Sequence, residues 1–573
     1  VLRKLLRVLL LKEERFMSTR STSDASNASA LQHPFADCVT QTGLFKGVHK
    51  NMMIAATLLV CVFVFFTGFN TDLAGRVFAA ARGWVESTFG WYYMLVLVLL
   101  LVASLTIAVT RLGNIRLGDD DDRPEFSTFS WLSMLFSAGV GVGILFFGVA
   151  EPTLYFDTSG AFGYPNNPYA DMAGATTMGF DRAADALRVT YFHWGFHGWA
   201  VYVIVGLALA YFSFRKKLPL ALRSTVHPLI GDRIYGPIGH IIDILGVLGC
   251  VFGVATSLGL GVSQIAVGLD RLFGVDPGVT TQVILIALIS VASILSSLSG
   301  VGKGIRIISE WNIIVSALVI AYFLFGGPTA WLVQIFGASL SDYLVEFIPM
   351  GLWFPEAQGP TAWQNAWTIF YWGWWIGWAP FIGLFIARIS RGRTLREFVV
   401  CVLCAPTLMI FAWLAIFGGN ALHQELVADA GIGTAGIIDL VNGWDLPAAL
   451  FATADGITGG GIWGWILNAM MIFLLFSWFI TSSDSSTLVL TTILSMGNDN
   501  PPKRFRVFWG TMIGAVAAVL LVAGGLRALQ TANMVTALPI SVLVILMTIS
   551  VMKSLLAESV GKSTASTPSK ASR

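Results

Sequence analysis

Hydrophobic residues run in long blocks along this chain, and short clusters rich in Lys and Arg separate the blocks. Apolar runs lie at about 50–69, 90–110, 131–150, 189–213, 238–270, 280–298, 312–326, 366–388, 398–418, 462–483, 507–526 and 534–552. Most reach the ~20 residues that an α-helix needs to cross a bilayer, and 312–326 is short. Hydrocarbon offers backbone groups no water, so a spanning run must satisfy its own N–H and C=O groups as a helix. The pattern predicts an all-α integral membrane protein of about 12 transmembrane helices.

The polar clusters alternate in charge. Arg111, Arg116 and Arg123 follow the second span, and Arg215, Lys216, Lys217 and Arg223 follow the fourth. Lys303 and Arg306 follow the sixth, Arg388, Arg391, Arg393 and Arg396 the eighth, Lys503, Arg504 and Arg506 the tenth, and Lys553 the twelfth. The intervening loops are poorer in Lys and Arg, and 419–461 has none. By the positive-inside rule both termini are cytoplasmic. The acidic run 119–122 counts little in that rule and reads as a solvated loop.

Composition agrees. The chain has 573 residues, 55% of them hydrophobic and 12% charged, with a mean hydropathy of +0.74. A net charge of +2 and the lack of a basic tract point to no nucleic-acid partner. Five cysteines in mostly apolar surroundings outline no disulfide framework. Cys401 and Cys404 form a CxxC inside a predicted span, where packing of small residues is the simpler role. Residues 1–16 form a short basic amphipathic run ahead of Met17. Either the run lies on the membrane surface or Met17 is the true start. Residues 18–34 are rich in Ser, Thr, Asn and Ala, a composition of disorder.

The chemistry concentrates in span eight, at Trp372-Gly373-Trp374-Trp375-Ile376-Gly377-Trp378-Ala379-Pro380. Tryptophan usually anchors a span at the water interface, but here it falls near the middle. On a straight helix Trp374, Trp375 and Trp378 share an arc of about 100° and Trp372 points away. Glycine and proline together predict a place where the helix opens. Electron-rich rings beside such a weak point suit an onium cation. A bulky packing face between helices is the competing account. Span three carries glycine at every second position in Ser137-Ala138-Gly139-Val140-Gly141-Val142-Gly143. Breaks in spans three and eight, five positions apart, are what two inverted repeats of five helices produce, with a site at the midplane. Alternating glycines also suit close helix packing. Span four adds His193, Trp194, His197, Trp199 and Tyr202. Trp199 and Tyr202 are neighbours on a straight helix, and Trp194 lies about 80° from Tyr202. His193 and His197 have metal-ligand spacing but no third ligand, so hydrogen-bonded structural histidines are the simpler account.

These motifs, with Phe147-Gly148-Val149-Ala150-Glu151-Pro152 after the glycines and Ala387-Arg388-Ile389-Ser390-Arg391-Gly392-Arg393 after the tryptophans, resemble the betaine–choline–carnitine transporter family over about residues 45–555. The resemblance implies a LeuT-type fold, two inverted five-helix repeats preceded by two extra helices, in a homotrimer. It divides the chain into a cytoplasmic tail (1–48), two peripheral helices (49–118), a first repeat (131–326), an extracytoplasmic loop (327–365), a second repeat (366–552) and a short cytoplasmic tail (553–573). It implies a bacterial cytoplasmic (inner) membrane.

It also assigns roles. Trp194, Trp199, Tyr202 and Trp375 match the family's aromatic box around a trimethylammonium-like group, and Trp374 and Trp378 match neighbours that line the route to the cytoplasm. Sodium is the implied coupling ion, held by Ala138 and Val140 of the glycine stretch with Thr481 and Ser482 of span ten. A second family sodium site uses two span-five threonines, and Cys250 and Val254 stand there instead, beside the retained Phe381. Family carriers of choline have aspartate at the position of Gly143, so a zwitterion is expected: glycine betaine, dimethylsulfoniopropionate, carnitine or ectoine. No further cofactor is implied. A proton-coupled or exchange-type choline or carnitine carrier is the alternative within the family. Outside it stand a membrane-embedded enzyme, for which no triad or carboxylate pair is legible, and a channel. The tail after Met552 reads as weakly structured, and truncation after Ala557 is expected to change activation by osmolality only slightly.

Overall fold

The computed structural model describes residues 35–139, 141–160, 162–170, 179–299, 304–354, 362–429, 436–498 and 500–565. Among these residues the chain is helical, and the one β contact is an isolated bridge, Arg116 to Thr394. Among the described residues nine helices are long and apolar enough to cross a membrane, and a tenth candidate is a bent pair. The predicted apolar runs lie in helices, two of them divided between a pair of helices. The first two spans are Lys50–Phe69 and Thr71–Val109. Span three is two pieces, Thr128–Gly139 and Val142–Phe156. Span five is Pro237–Phe273, span six Val279–Ser299 and span seven Gly304–Gly326. Span nine is Leu395–Asp429 and span ten Gly461–Leu494. Spans eleven and twelve form one run, Lys503–Ala565, kinked at Gly524 and Gly525, and the φ of 61° at Gly525 is left-handed backbone that glycine tolerates.

Burial sorts the bundle. The apolar windows of spans four, eight and five are 94%, 83% and 78% buried, against 28% for spans one and six. Four, five and eight therefore form the centre, and one and six present apolar side chains outward, as a lipid-facing helix does.

Four expectations change. Span eight, expected to open at its glycines and proline, is a continuous helix, Phe370–Arg388, preceded by a wide π-turn at Asn365–Ile369. Its glycines serve close packing instead. A Cβ on Gly377 would sit 2.1 Å from Asn533 Oδ1, and one on Gly373 3.0 Å from Met534 Cγ. Span four, expected to be straight, breaks at Gly195 between Phe180–Trp194 and Phe196–Ala210. There a Cβ would meet the Tyr191 carbonyl oxygen at 2.6 Å and Tyr343 Oη at 2.5 Å. The stretch 327–365, expected as loop, contains the helix Thr329–Gly351, which turns 102° from 311–326. It packs on the first half of span four, where Ser339 Oγ meets Tyr191 Oη at 3.2 Å. The loop 419–461 likewise holds the tail of span nine and the helix Leu446–Thr458.

The arginine loop after span eight is bonded to the loop after span two. Leu117 N donates to Arg393 O at 2.8 Å and Gly392 N to Leu117 O at 2.7 Å. Arg393 lies over the Trp131 ring, 4.0 Å from its centroid, and Arg396 Nε donates to Ala108 O. These arginines fasten loops to one another and stay out of the central cavity described below.

The fourth change concerns the C-terminal segment. The helix runs on to Ala565. Glu558 accepts from Tyr211 Oη at 2.8 Å, Arg215 Nε at 2.7 Å and Lys216 Nζ at 3.0 Å. Truncation after Ala557 removes that acceptor. Partly screened pairs are each worth up to about 1 kcal/mol and weaken with salt. We expect the truncation to lower the unfolding temperature in detergent by more at low salt than at high salt. Equal unfolding temperatures for truncated and full chains at low salt would show that the cluster carries nothing.

Candidate functional site

Where spans three, four, five and eight meet, Gly141, Gly143, Trp194, Tyr202, Ser257, Trp374, Trp375 and Trp378 line a cavity of about 40 Å³. The break in span three puts Gly141 and Gly143 beside the indoles, and Gly143 has a steric reason to be glycine. A Cβ there would lie 2.4 Å from Trp374 Cη2 and 3.1 Å from Trp194 Cη2. Trp375 lies over Gly198 in the same way, with its ring atoms 2.4–2.7 Å from where a Cβ would be. Large rings and missing side chains are thus complementary across three helices.

The rings meet at angles. Tyr202 and Trp375 are 5.0 Å apart at 52°, and Trp194 is 6.0 Å from Trp374 and 6.2 Å from Trp375, both near perpendicular. Such an arrangement presents π faces and edges around one small volume, the setting in which an onium group gains about 0.5–2 kcal/mol per ring.

Of the residues expected here, Trp194, Tyr202, Trp374, Trp375, Trp378 and Gly143 come together. Trp199 does not line the cavity. It is fully buried behind it, 5.5 Å from Tyr202 and 5.7 Å from Trp375, and supports both rings. Its place in the box was implied by the family resemblance, whereas on the helix Phe196–Ala210 it backs Tyr202 from behind the cavity. Trp372 lies outside the cavity, where it is fully buried and its Nε1 meets Met94 Sδ at 3.0 Å. It is a core residue, so its replacement is a stability change and no neutral control.

The ion-site residues are less complete. Val140 and the side chain of Ala138 fall outside the described residues. Thr481 and Ser482 are half-buried on span ten, and Thr481 Oγ1 donates to Trp478 O at 2.9 Å. Cys250 and Val254 are buried on span five. Trp378 and Phe381 stack edge to face at 5.5 Å.

Two residues were missed in the sequence. Ser257 lines the cavity, and its buried hydroxyl has no partner among the described residues. Its signal was its place on span five, three residues after Val254 and so on the same helix face. Glu151 sits behind Trp194 with no exposed surface. Its Oε2 accepts from Trp194 Nε1 at 2.9 Å and from Tyr371 Oη, and its Oε1 from Tyr155 Oη at 3.0 Å and His193 Nδ1 at 2.7 Å. His193 Nε2 lies 3.0 Å from Thr368 Oγ1. A lone acid in a motif gives no hint of four donors arriving from three helices.

The fold and site define a multi-pass membrane protein with an aromatic cavity at the centre of its helix bundle. The family model of the betaine/carnitine/choline family transporters matches residues 51–560. The chain belongs to that family, and it is a transporter rather than an enzyme. It is 41% identical to a probable glycine betaine transporter of Desulfitobacterium hafniense over 84% of this chain and 92% of that one. It is 40% identical to the glycine betaine transporter OpuD of Bacillus subtilis, over 82% and 88%. It is 38% identical to a glycine betaine/proline/choline transporter of Vibrio parahaemolyticus, over 86% and 88%.

The two cavity glycines differ in tolerance. A Cβ on Gly141 would be in ordinary contact, 4.0 Å from Trp378 Cη2, whereas Gly143 has no room. Gly143→Ala should therefore displace Trp374 and raise the half-saturating solute concentration about tenfold, the cost of overpacking by one methyl. Gly141→Ala should leave it within about twofold, since that contact needs no adjustment. Equal effects in a tryptophan-fluorescence titration would remove the steric role assigned to Gly143. The same contact means that an aspartate at 143 requires Trp374 to move, so Gly143→Asp is more than an added charge.

Proposed function

We propose that the protein imports a zwitterionic onium osmolyte, glycine betaine or a close analogue such as dimethylsulfoniopropionate, carnitine or ectoine, by symport with sodium. The observation that carries the solute class is the lining: four indoles, a phenol, a lone serine hydroxyl and two glycines, with no carboxylate among the described lining residues. A quaternary ammonium has no N–H to donate, so aromatic faces are its natural partners. A net cation such as choline would enter this low-dielectric volume without a lining counter-charge, whereas a zwitterion brings its own. The unpartnered Ser257 hydroxyl is a donor suited to the zwitterion's carboxylate. The names of the relatives support betaine, and one of them adds choline and proline.

Sodium coupling rests on the family resemblance and on the hydroxyls of Thr481 and Ser482, hard oxygens suited to a small cation. A proton-coupled carrier is the second reading, and the buried Glu151–His193 pair is what favours it. The Lys- and Arg-rich loops support cytoplasmic termini. The bacterial relatives support the inner membrane of a bacterium as its location. Assembly as a homotrimer, and the division into two inverted repeats at 131–326 and 366–552, follow from the same family reading.

Uptake of labelled glycine betaine into proteoliposomes tests the proposal. A sodium gradient should drive it, excess unlabelled betaine should block it, and excess choline should leave most of it intact. Uptake that ignores sodium but follows a proton gradient would sink the sodium assignment, and a preference for choline would sink the charge argument. Trp375→Leu keeps bulk and removes the π face, and should raise the half-saturating betaine concentration at least about tenfold, the worth of one desolvated cation–π contact. Thr481→Ala with Ser482→Ala should raise the sodium concentration for half-maximal uptake, while Cys250→Ala should not.

A further inference from the structure

The four indoles of the cavity are not held alike. Trp194 and Trp375 are anchored by their N–H groups. Trp194 Nε1 donates to Glu151 Oε2 at 2.9 Å, and Trp375 Nε1 donates to the His193 carbonyl oxygen at 2.9 Å. Trp374 Nε1 and Trp378 Nε1 are buried with no partner among the described residues. Both anchored rings lead back to one group. Glu151 binds Trp194 directly, and it binds the imidazole of His193, whose own carbonyl holds Trp375. His193 also stacks on Tyr371, 4.8 Å away at 15°, and Tyr371 Oη donates to Glu151 as well.

We propose that Glu151 is the positioning residue of the aromatic cavity: its carboxylate fixes Trp194 and Tyr371, and through His193 it fixes Trp375. The cavity then meets the solute with two walls already set, and binding need not pay to order them.

The chemistry of the carboxylate supports this role. A buried carboxylate is costly unless its lone pairs are met. Four donors reach Glu151, two to each oxygen, which is what an ionised carboxylate can accept. A protonated acid would bring its own hydrogen into conflict with one of them. The imidazole is held at both nitrogens, Nδ1 by Glu151 at 2.7 Å and Nε2 by Thr368 Oγ1 at 3.0 Å. Anchoring Trp194 at its nitrogen leaves the far edge, Cη2, beside Gly143 at the cavity wall. Charge-assisted hydrogen bonds are about twice as strong as neutral ones, so this anchor outlasts competition from water entering with the solute.

Glu151 touches neither solute nor cavity. Its effect must therefore appear as a change in ring position and in affinity more than in turnover. This inference rests on the aromatic cavity being the solute site, and the experiment has a readout that does not. The protein is labelled with 5-fluorotryptophan, and the Trp194 and Trp375 resonances are assigned by their loss in Trp194→Phe and Trp375→Phe. In the solute-free protein, Glu151→Gln should shift both resonances and leave that of Trp509, assigned by its loss in Trp509→Phe, in place. In uptake assays Glu151→Gln should raise the half-saturating betaine concentration about tenfold, the worth of one charge-assisted hydrogen bond, while lowering the maximal rate less than about threefold. Glu151→Gln with Trp194→Phe should raise it by less than the product of the two single effects, because part of the carboxylate's effect runs through that N–H.

Should Glu151→Gln fail to fold, Tyr371→Phe removes one of the four donors without loss of shape and should shift the Trp194 resonance. Unmoved Trp194 and Trp375 resonances in the tested variant, or additive effects in the double variant, would overturn the proposal. Shifted resonances in a protein that binds no methylated solute would overturn the solute assignment and leave the positioning role standing.

Discussion

A carboxylate with no exposed surface in the middle of a membrane bundle constrains everything that touches it. Glu151 lies on the second half of span three. Its partners Tyr155, His193, Trp194 and Tyr371 come from that helix, from the first half of span four and from span eight. No water and no mobile counter-ion can stand in for them in hydrocarbon. The three helices must therefore meet at this height and in this rotation for the charge to be tolerated. The same hydrogen bonds that satisfy the charge orient the rings, so stability of the bundle centre and shape of the cavity share one cause.

The second constraint is volume. Indoles at the centre of a bundle need backbone on the opposite side, and the sequence supplies glycine at each such place. Gly143 faces Trp374, Gly198 faces Trp375, and Gly253 faces Trp378, each leaving less than 3 Å for a Cβ. Span five also approaches span eight at backbone distance, since a Cβ on Gly249 would lie 3.1 Å from the Gly377 carbonyl oxygen. Small residues at helix interfaces are the usual means of close approach in membranes, where dispersion and not hydrophobic exclusion drives packing. Here that approach frames a site.

How much of this was legible follows from what periodicity records. Hydrophobic runs report where helices lie, and the twelve runs are found in helices, those of spans three and four each divided in two. The mixture of rings and glycines in 371–381 marked the cavity wall. Periodicity does not report breaks that tertiary contacts impose. The break at Gly195 is set by Tyr343 and Tyr191, the first of which lies on a helix the pattern did not show. That helix, Thr329–Gly351, carries Asp342, Glu346 and Pro349 and so fell below a spanning pattern. The resemblance, not a helical wheel, put Trp199 at the cavity, and in the fold it backs Tyr202 instead. Glu151 was visible only as one letter of a motif. Its importance depends on four donors brought from elsewhere, and single-sequence reasoning has no access to such convergence. The C-terminal helix was missed for a related reason: its polar residues read as solvated tail, while Glu558 finds its cations more than 300 positions away on the polar cluster after span four.

The size of the cavity carries the last step. About 40 Å³ is room for roughly three waters, less than a trimethylammonium group with its carboxylate. An occupied site must therefore have its lining displaced from the arrangement seen here. The hydrogen bonds say which rings give way. Trp194 and Trp375 would each forfeit an anchored N–H, and moving Trp194 would leave a buried carboxylate oxygen short of a donor. Trp374 and Trp378 forfeit nothing of that kind. Trp374 also closes directly on Gly143, beside the break in span three, where the backbone is already released from its helix. Trp374 and Trp378 are therefore the rings whose displacement costs no hydrogen bond, while the wall held by Glu151 keeps its anchors.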